Sequence, residues 1–266
     1  MSAAPQAWAA TAVAQGSDEA AVEVRGLTKS FGRGTLGPAV LEDVDLRVDP
    51  GEFVCVLGSS GCGKSTLLNV IAGLEPPTRG DVRVLGRRSA LVFQEPALFP
   101  WLTAIGNVEL ALRLRGLPRS RRRSEAERLL ALVRLSGAED RRVHQLSGGM
   151  RQRVALARAL AQECQVLLMD EPFGALDAIT RDVLHEELMR IWSETGLSIV
   201  FVTHNVREAV RLGQRVVLLS SRPARVVREW RVDLDEFGRI ESPAVARLSG
   251  EITDRLREEI RRHGGA

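Results

Sequence analysis

Short apolar runs recur along the chain and are separated by longer stretches that mix apolar and charged residues. Near the start, alternating or continuous apolar residues predict three strands, in the segments AVEVRGLTKSF, AVLEDVDLRV and EFVCVLG. The third contains FVCVL, a continuous apolar run that is typical of a strand buried on both faces. The same patterns predict five more strands, in DVRVLG, ALVFQ, VLLMD, SIVFVTH and RVVLLS.

The stretches between these strands have helical spacing. Leu67, Leu68, Ile71 and Leu74 predict a helix directly after a glycine-rich turn. Two more helices are predicted between the last strands, in AITRDVLHEELMRIWSETG and NVREAVRLG. Strands that alternate with helices favour an α/β fold with a mostly parallel sheet, and the helical pattern over residues 95–162 favours an inserted α-helical subdomain.

Both ends of the chain differ from its middle. Residues 1–20 are alanine-rich without an initial positive charge, so we expect a disordered tail rather than a signal peptide. Residues 236–266 are predicted to form a C-terminal amphipathic helical tail. Its apolar stripe consists of Val245, Leu248, Ile252, Leu256 and Ile260. Packing on the same chain is the simpler interpretation of that stripe, and binding of a partner is the alternative.

Composition adds few constraints. The chain is 44% hydrophobic and 27% charged, with a net charge of +3, which is typical of a globular protein and permits an anionic partner without requiring one. The three cysteines, Cys55, Cys62 and Cys164, are not spaced as metal ligands and favour a reducing compartment. Because no apolar run is long enough for a transmembrane helix, work at a membrane would require an integral partner.

A glycine-rich loop follows the third predicted strand. Its sequence GSSGCGKS matches the pattern G-x-x-x-x-G-K-[ST], and the candidate nucleotide-binding residues are Gly58, Ser59, Ser60, Gly61, Cys62, Gly63, Lys64, Ser65 and Thr66. Glycines let backbone N–H groups converge on an anion, and the helix that follows adds its positive end. Only two of the 37 basic residues are lysines, and a compact ammonium at Lys64 suits the β- and γ-phosphates of a nucleoside triphosphate.

Two carboxylates follow the strand in VLLMDEP. Asp170 stands where it can hold a water of Mg²⁺, and Ser65 can bind the same ion through its hydroxyl. Glu171 comes next and can orient and polarise an attacking water. A charged turn is the alternative interpretation, and the phosphate loop upstream favours the functional one.

A second candidate anion site lies in LSGGMRQRVALARALAQ. Ser147, Gly148 and Gly149 come just before a predicted helix, whose N-terminus attracts anions. A glycine-containing helix start without function is the alternative. That alternative leaves unexplained why LSGG and then DE follow the phosphate loop in this order.

Residues 21 to about 230 resemble the ATP-binding cassette (ABC) family, through GSSGCGKST, LSGGM, LLMDEP and ALD. The resemblance implies a P-loop NTPase with a RecA-like core (21–94 and 163–235), an antiparallel β region and a helical subdomain (95–162). It also implies a head-to-tail homodimer that holds ATP between the phosphate loop of one copy and Ser147 and Gly149 of the other. Five further site residues come from the resemblance. It implies that Phe31 stacks on adenine, with a core phenylalanine as the alternative, that Gln94 contacts Mg²⁺ and water, and that His204 contacts the γ-phosphate. Gln152 and Asp177 are implied to belong to the nucleotide site, with Asp177 working across the dimer interface.

A finer resemblance points to the nitrate/sulfonate/taurine branch of importers. It is carried by FQEPALFPWLT, DEPFGALDAITR and residues 221–226, while Asn205 and Ala224 depart from the branch pattern. It implies an ATPase that drives uptake of a small solute, an aliphatic sulfonate first, with nitrate, taurine or a pyrimidine-like solute as alternatives. The implied partners are integral permease subunits and an extracytoplasmic solute-binding protein, which would keep the chain on the cytoplasmic face of the membrane. Phe99 and Trp101 either dock on the permease or pack internally.

Two other classes compete with a transport ATPase. A non-transport cassette ATPase that acts on nucleic acid would typically carry paired cassettes or a coiled-coil insert, and this sequence has neither. A P-loop kinase or GTPase does not explain LSGGM, and the guanine-reading N-K-x-D is absent from the sequence. We therefore expect ATP and Mg²⁺ as ligands and no nucleic acid partner.

Overall fold

The computed structural model describes residues 19–32, 37–232 and 243–263. Residues 1–18 of the expected N-terminal tail, and residues 236–242 and 264–266 of the expected C-terminal tail, lie outside this part. The first of the two sheets has three antiparallel strands in the order β2-β1-β4. Its strands are β1 (Val22–Ser30), β2 (Ala39–Val48) and β4 (Arg79–Val84). This sheet is the antiparallel β region that the family resemblance implies.

The second sheet has six strands in the order β5-β6-β7-β3-β8-β9, and the first five run parallel. The strands are β3 (Phe53–Leu57), β5 (Ser89–Val92), β6 (Val166–Asp170), β7 (Ser198–Thr203), β8 (Arg215–Leu219) and β9 (Val226–Arg231). The predicted α/β class with a mostly parallel sheet is confirmed. The edge strand β9 pairs antiparallel with β8 and was not predicted, because Trp230 is the only buried residue in its polar sequence.

Both faces of the parallel sheet are covered. In β3, Phe53, Cys55 and Leu57 join the core formed with helices α2 to α6, whereas Val54 and Val56 join the core formed with β1, β2 and α1. This burial explains why the sequence of β3 is continuously apolar. The helices are α1 (Lys64–Ile71), α2 (Ala104–Leu114), α3 (Arg119–Leu132), α4 (Gly148–Leu160), α5 (Ala178–Thr195) and α6 (Val206–Leu212).

Helices α2, α3 and α4 come between β5 and β6 along the chain, within the stretch expected to be a helical subdomain, and they pack on one another. The hydroxyl of Thr103 caps α2 by accepting a hydrogen bond from the N–H of Gly106 at 3.1 Å. α3 buries Ala126, Leu129 and Leu130, so its arginine-rich first turns stay on the surface.

The last helix, α7 (Pro243–His263), packs on α6. Ile252 of the predicted stripe is fully buried in the main core, whereas Ile260 is 46% exposed. The indole N–H of Trp230 in β9 donates to Glu251 of α7 at 2.9 Å. Most of the stripe therefore packs on the same chain. No helix in the described ranges is both long and apolar enough to span a bilayer.

Candidate functional site

The candidate site lies where four neighbouring parallel strands end. β6, β7, β3 and β8 are adjacent, and their carboxyl ends meet at one edge of the sheet. The phosphate loop, residues 58–66, follows β3, while Asp170 ends β6 and His204 follows β7. Ligands of open α/β sheets bind outside this edge.

Glycines fix the shape of the phosphate loop. Gly63 precedes α1 with φ 126°, and Gly61 has φ 74°, values that L side chains rarely adopt. A Cβ on Gly63 would lie 3.0 Å from Leu41 Cδ2, and a Cβ on Gly58 would lie 2.6 Å from Cys62 Sγ. The loop therefore lies flat against β2 and against its own thiol, and a side chain at either glycine would push it outward.

Lys64 is held inside this loop. Its side chain is only 5% exposed, and its ammonium donates hydrogen bonds to the carbonyls of Gly58 and Ser59, each at 3.0 Å. The same nitrogen lies 3.4 Å from a carboxylate oxygen of Glu171. The predicted phosphate-binding lysine and the predicted base are thus neighbours, and one positive charge stabilises the carboxylate.

Glu171 is also bonded to His204. His204 Nδ1 lies 2.8 Å from Glu171 Oε2, and the imidazole side chain is 61% exposed. Glu171 has φ 43°, a conformation that is costly for a non-glycine residue and persists where the surrounding structure holds it. Its N–H donates to the carbonyl of Val202 at 3.0 Å, which ties the strained residue to the adjacent strand.

Asp170 and Ser65 form the second half of the site. Burial raises the pKa of Asp170, and a hydrogen bond from the Ser65 side chain opposes that shift. Ser65 itself is exposed. Two hard oxygen ligands thus lie side by side, one of them a carboxyl group whose charge is poorly solvated.

The remaining predicted residues lie at the rim of the site. Gln94 is exposed just beyond β5, and its side-chain nitrogen lies 3.7 Å from where a Cβ on Gly174 would be. Phe31 is 46% exposed after β1, with the ammonium of Lys29 4.8 Å from its ring centroid. Ser60 is exposed and Thr66 half-buried in the phosphate loop. These residues keep their predicted roles as proposals.

Ser147, Gly148 and Gly149 begin α4 in different surroundings. The hydroxyl of exposed Ser147 caps the helix by accepting from the N–H of Met150 at 3.2 Å. A Cβ on Gly148 would lie 3.2 Å from Leu176, and one on Gly149 would lie 2.7 Å from Thr180. This helix start therefore packs against the start of α5.

Asp177 caps α5 at that contact. Its carboxylate accepts a hydrogen bond from the N–H of Thr180 at 3.0 Å, and this interaction lowers the pKa of Asp177. The structure thus brings Asp177 next to the LSGG helix start. Asp177 is exposed, which is compatible with the role across a dimer interface that the family resemblance implies.

The side chain of Gln152, whose part in the nucleotide site stays a prediction, is buried. Its side chain is 3% exposed and donates to the carbonyls of Pro172 and Phe93. Among the described residues, its buried Oε1 has no hydrogen-bond partner. The structure therefore uses Gln152 to join α4 to the loops that follow β5 and β6, and does not bring it to the exposed helix end.

Two groups of supporting residues escaped the sequence interpretation. Behind His204, the Thr203 hydroxyl is bonded to Glu208, and Glu208 is bonded to buried His185 at 2.7 Å. Beside the phosphate loop, Ser221 and Arg222 contact Ser59 and Gly61. The position of this second group directly after β8, next to β3 in the sheet, is the signal that could have found it.

Comparisons with known proteins agree with this geometry. The sequence profile of the ABC transporter family matches residues 41–174. Over 240 residues the chain is 47% identical to the taurine import ATP-binding protein TauB of Mesorhizobium japonicum, covering 85% of this chain and 93% of that protein. Over 221 residues it is 44% identical to an uncharacterized ABC transporter ATP-binding protein of Methanocaldococcus jannaschii, covering 80% and 83%.

A solved structure is similar as well. It is the dimeric post-hydrolysis state of the ATP-binding cassette MJ0796 with ADP and Pi, which matches with a TM-score of 0.72 at 34% identity. The match covers 80% of this chain and 100% of that one. The expected P-loop NTPase fold, the ATPase class and the nitrate/sulfonate/taurine branch are confirmed by these matches. The chain therefore belongs to the ABC transporter family and is one of its ATP-binding cassettes.

Proposed function

We propose that this chain is the motor subunit of an importer, and that a head-to-tail pair of copies hydrolyses ATP to drive uptake of a small aliphatic sulfonate such as taurine. The observation that carries the ATP-hydrolysing site is the chain of contacts from Lys64 through Glu171 to His204 at the edge of the parallel sheet. A lysine ammonium, a carboxylate and an imidazole are close together there, which supports binding and hydrolysis of a triphosphate at this point.

Each residue has a distinct task in hydrolysis. Lys64 and the backbone N–H groups of the phosphate loop bind the β- and γ-phosphates. Glu171 orients a water and accepts its proton as the water attacks the γ-phosphorus, whose bond to the β–γ bridging oxygen breaks. His204 holds Glu171 and donates towards the γ-phosphate. The products are ADP, inorganic phosphate and one proton.

The residues beside the loop fit Mg²⁺. The hydroxyl of Ser65 and the carboxylate of Asp170 are oxygen ligands of the kind that Mg²⁺ prefers, and a cation would stabilise the poorly solvated charge of Asp170. Gln94 is proposed as a third contact through its side-chain oxygen. When bound, Mg²⁺ neutralises charge that develops on the phosphates.

The pairing of two copies follows from what each half lacks. The phosphate loop contacts Glu171 and Arg222, whereas Ser147 lies at the start of α4 beside the start of α5. As the family resemblance implies, we assign the donors of Ser147 and Gly149 at a γ-phosphate on Lys64 to a second copy. ATP then joins the copies, and hydrolysis lets them separate.

The surface near Trp101 is proposed as the permease contact. Trp101 is 67% exposed, and its ring lies 5.4 Å from that of half-buried Phe99. The guanidinium carbon of Arg158 lies 5.9 Å from the centroid of the Phe99 ring. Of the two interpretations of this pair, docking suits Trp101 and internal packing suits Phe99. Attachment here would hold the chain at the cytoplasmic face of the membrane, with a solute-binding protein on the other side.

The test of the hydrolytic site is Glu171→Gln. We expect turnover to fall by about 100-fold or more while MgATP still binds, because only the proton acceptor is lost. Glu163→Gln is the matched control, since Glu163 also has positive φ, 51°, and pairs with Arg115 far from this chemistry. Turnover that survives in Glu171→Gln would show that another group is the base.

The test of the paired site mixes two inactive variants. Lys64→Ala lacks a working loop and Ser147→Arg lacks a working helix start, so neither homodimer has an intact site. Mixing them gives some heterodimers with one intact site, and we expect up to about a quarter of wild-type turnover if sites act independently. Failure of the mixture to recover any turnover would argue against the composite arrangement.

The transported solute is tested by growth. A strain that lacks this chain should fail to grow with taurine as sole sulfur source and recover with the wild-type gene, but not with Glu171→Gln. Normal growth on taurine combined with a defect on nitrate would reassign the solute.

For docking, Trp101→Ala should reduce recovery of the chain with membranes, whereas Leu114→Ala, 82% exposed on α2, should not.

A further inference from the structure

The segment after β8 crosses beside the phosphate loop and touches it at two points. We call residues 220–225 the strap. The Nε of Arg222 donates a hydrogen bond to the carbonyl of Gly61 at 2.9 Å. The hydroxyls of Ser221 and Ser59 lie 3.3 Å apart. The strap thus contacts the outer turn of the loop at Ser59 and Gly61.

The strap is itself held firmly, which lets it restrain what it touches. The hydroxyl of Ser220, a residue 8% exposed, accepts from the N–H of Arg225 at 3.0 Å and lies 3.0 Å from the carbonyl of Pro223. Proline fixes the backbone directly after Arg222. The segment is therefore a compact turn rather than a free loop.

β2 anchors the opposite side of the strap. The N–H of Ala224 donates to the carbonyl of Val40 at 2.8 Å, and the N–H of Glu42 donates to the carbonyl of Ala224 at 3.0 Å. The side chain of Val40 also lies 3.1 Å from where a Cβ on Gly63 would be. One strand therefore supports the strap and the helical end of the phosphate loop.

The part of the loop that the strap contacts is the part most in need of support. Gly61 is exposed, has φ 74°, and its Cβ position faces open space. A glycine in such a position has many alternative conformations, and freezing them opposes ligand binding. Because a trans peptide fixes its C=O and N–H in opposite directions, holding the Gly61 carbonyl also orients the following N–H.

From these contacts we propose that Arg222, assisted by Ser221, is a positioning residue that holds the outer turn of the phosphate loop in its phosphate-binding conformation and so sets nucleotide affinity. The proposal rests on the proposed nucleotide site at this loop. It assigns Arg222 no contact with the nucleotide and no part in the chemical step.

The test compares Arg222→Met with Arg225→Met. Methionine keeps much of the aliphatic stem and removes the donors. Arg225 is the control because it belongs to the same strap and carries the same charge, but pairs outward with Glu42 at 2.8 Å. We expect Arg222→Met to raise the Kd for MgADP about fivefold, which is the scale of one modest hydrogen bond. The Kd of Arg225→Met should stay at the wild-type value.

Two further measurements separate positioning from other roles. In the nucleotide-free protein, Arg222→Met should speed amide exchange over residues 59–63, and steady-state ATPase should show a raised KM with unchanged kcat. Ser221→Ala should shift Kd the same way by a smaller factor. Unchanged exchange together with full rescue by Arg222→Lys would overturn the proposal, since it would identify a direct charge contact with phosphate.

Two outcomes remain, and each has a clear meaning. Equal increases in Kd for Arg222→Met and Arg225→Met would show that the loss of one positive charge explains the whole effect. That result would refute the positioning role of Arg222. MgADP binding that Lys64→Ala leaves intact would contradict the proposed nucleotide site itself, independently of the strap.

Discussion

The phosphate loop and the start of α4 both place glycines and a hydroxyl at a helix N-terminus, yet they are built differently. The loop is enclosed by its own chain, with Lys64 bonded to two loop carbonyls and close to Glu171. The start of α4 is exposed at Ser147 and is capped only locally, by that side chain. One site is organised before its ligand arrives, and the other offers a surface that a second molecule can complete. Measurements on each region should therefore respond to different perturbations.

The largest expected difference is in nucleotide affinity. Lys64→Ala should weaken MgADP binding by about 100-fold, because it removes the buried charge that is proposed to bind the phosphates. Ser147→Arg should leave monomer affinity unchanged, since its side chain lies on the open surface. Calorimetric titration of both variants measures the contrast, and an equal loss in the two would remove the distinction between the regions.

His204 tests whether the chemistry belongs to the enclosed region alone. His204→Ala should lower kcat by roughly 10- to 100-fold with little change in KM, because the imidazole orients Glu171 in the reacting state. Dimer formation with MgATP, followed by scattering, should persist. Loss of dimerisation with a normal kcat per dimer would instead show that His204 acts in pairing the two copies, as is proposed for the start of α4.

Asp170 gives an intermediate effect with a defined dependence on pH. Burial raises the pKa of its carboxyl in the folded state, so its contribution to stability is fully present below the unfolded pKa and is lost as pH rises through the folded pKa. Asp170→Asn should therefore raise the Tm of the nucleotide-free protein relative to wild type, more at pH 8 than at pH 4. Mg²⁺-dependent turnover should be lost. A Tm lowered by the substitution at pH 8 would contradict this description of the carboxylate.

The smallest effect is expected at Asp177, beside the start of α4. Its pKa is lowered by the cap bond to Thr180, so this stability is present above the unfolded pKa and lost as pH falls through the folded one. Asp177→Ala should lower Tm by about 2 °C, whereas Asp177→Asn, which still caps, should not. Reduced turnover in Asp177→Asn would then isolate a role for the charge between copies.

Much of this arrangement could be read from the sequence because it depends on local patterns. The apolar runs located β3, β6 and β7, and the residues after them are those that meet at the sheet edge. The antiparallel edge strand β9 was missed, because in VVREWR the burial of Trp230 depends on α7 far along the chain.

Contacts between distant segments could not be read in this way. Arg222 was noticed only as part of the branch resemblance over residues 221–226, since nothing local shows that its guanidinium reaches Gly61 across 161 positions. Gln152 was assigned to the nucleotide site through the family resemblance alone, because no local pattern shows which way its side chain points. Packing of α4 against the loop at Pro172 turned its side chain inward.

The scarcity of lysine has a practical consequence. Both lysine side chains are nearly inaccessible, Lys29 at 6% and Lys64 at 5%, so the ε-amines are absent from a surface covered with guanidinium groups. Guanidinium stays protonated at any pH that a protein tolerates and does not react with acylating reagents under mild conditions. Slow acylation of Lys64, read by mass spectrometry of its peptide, would therefore report the opening of the phosphate loop with little background, and bound nucleotide should suppress it.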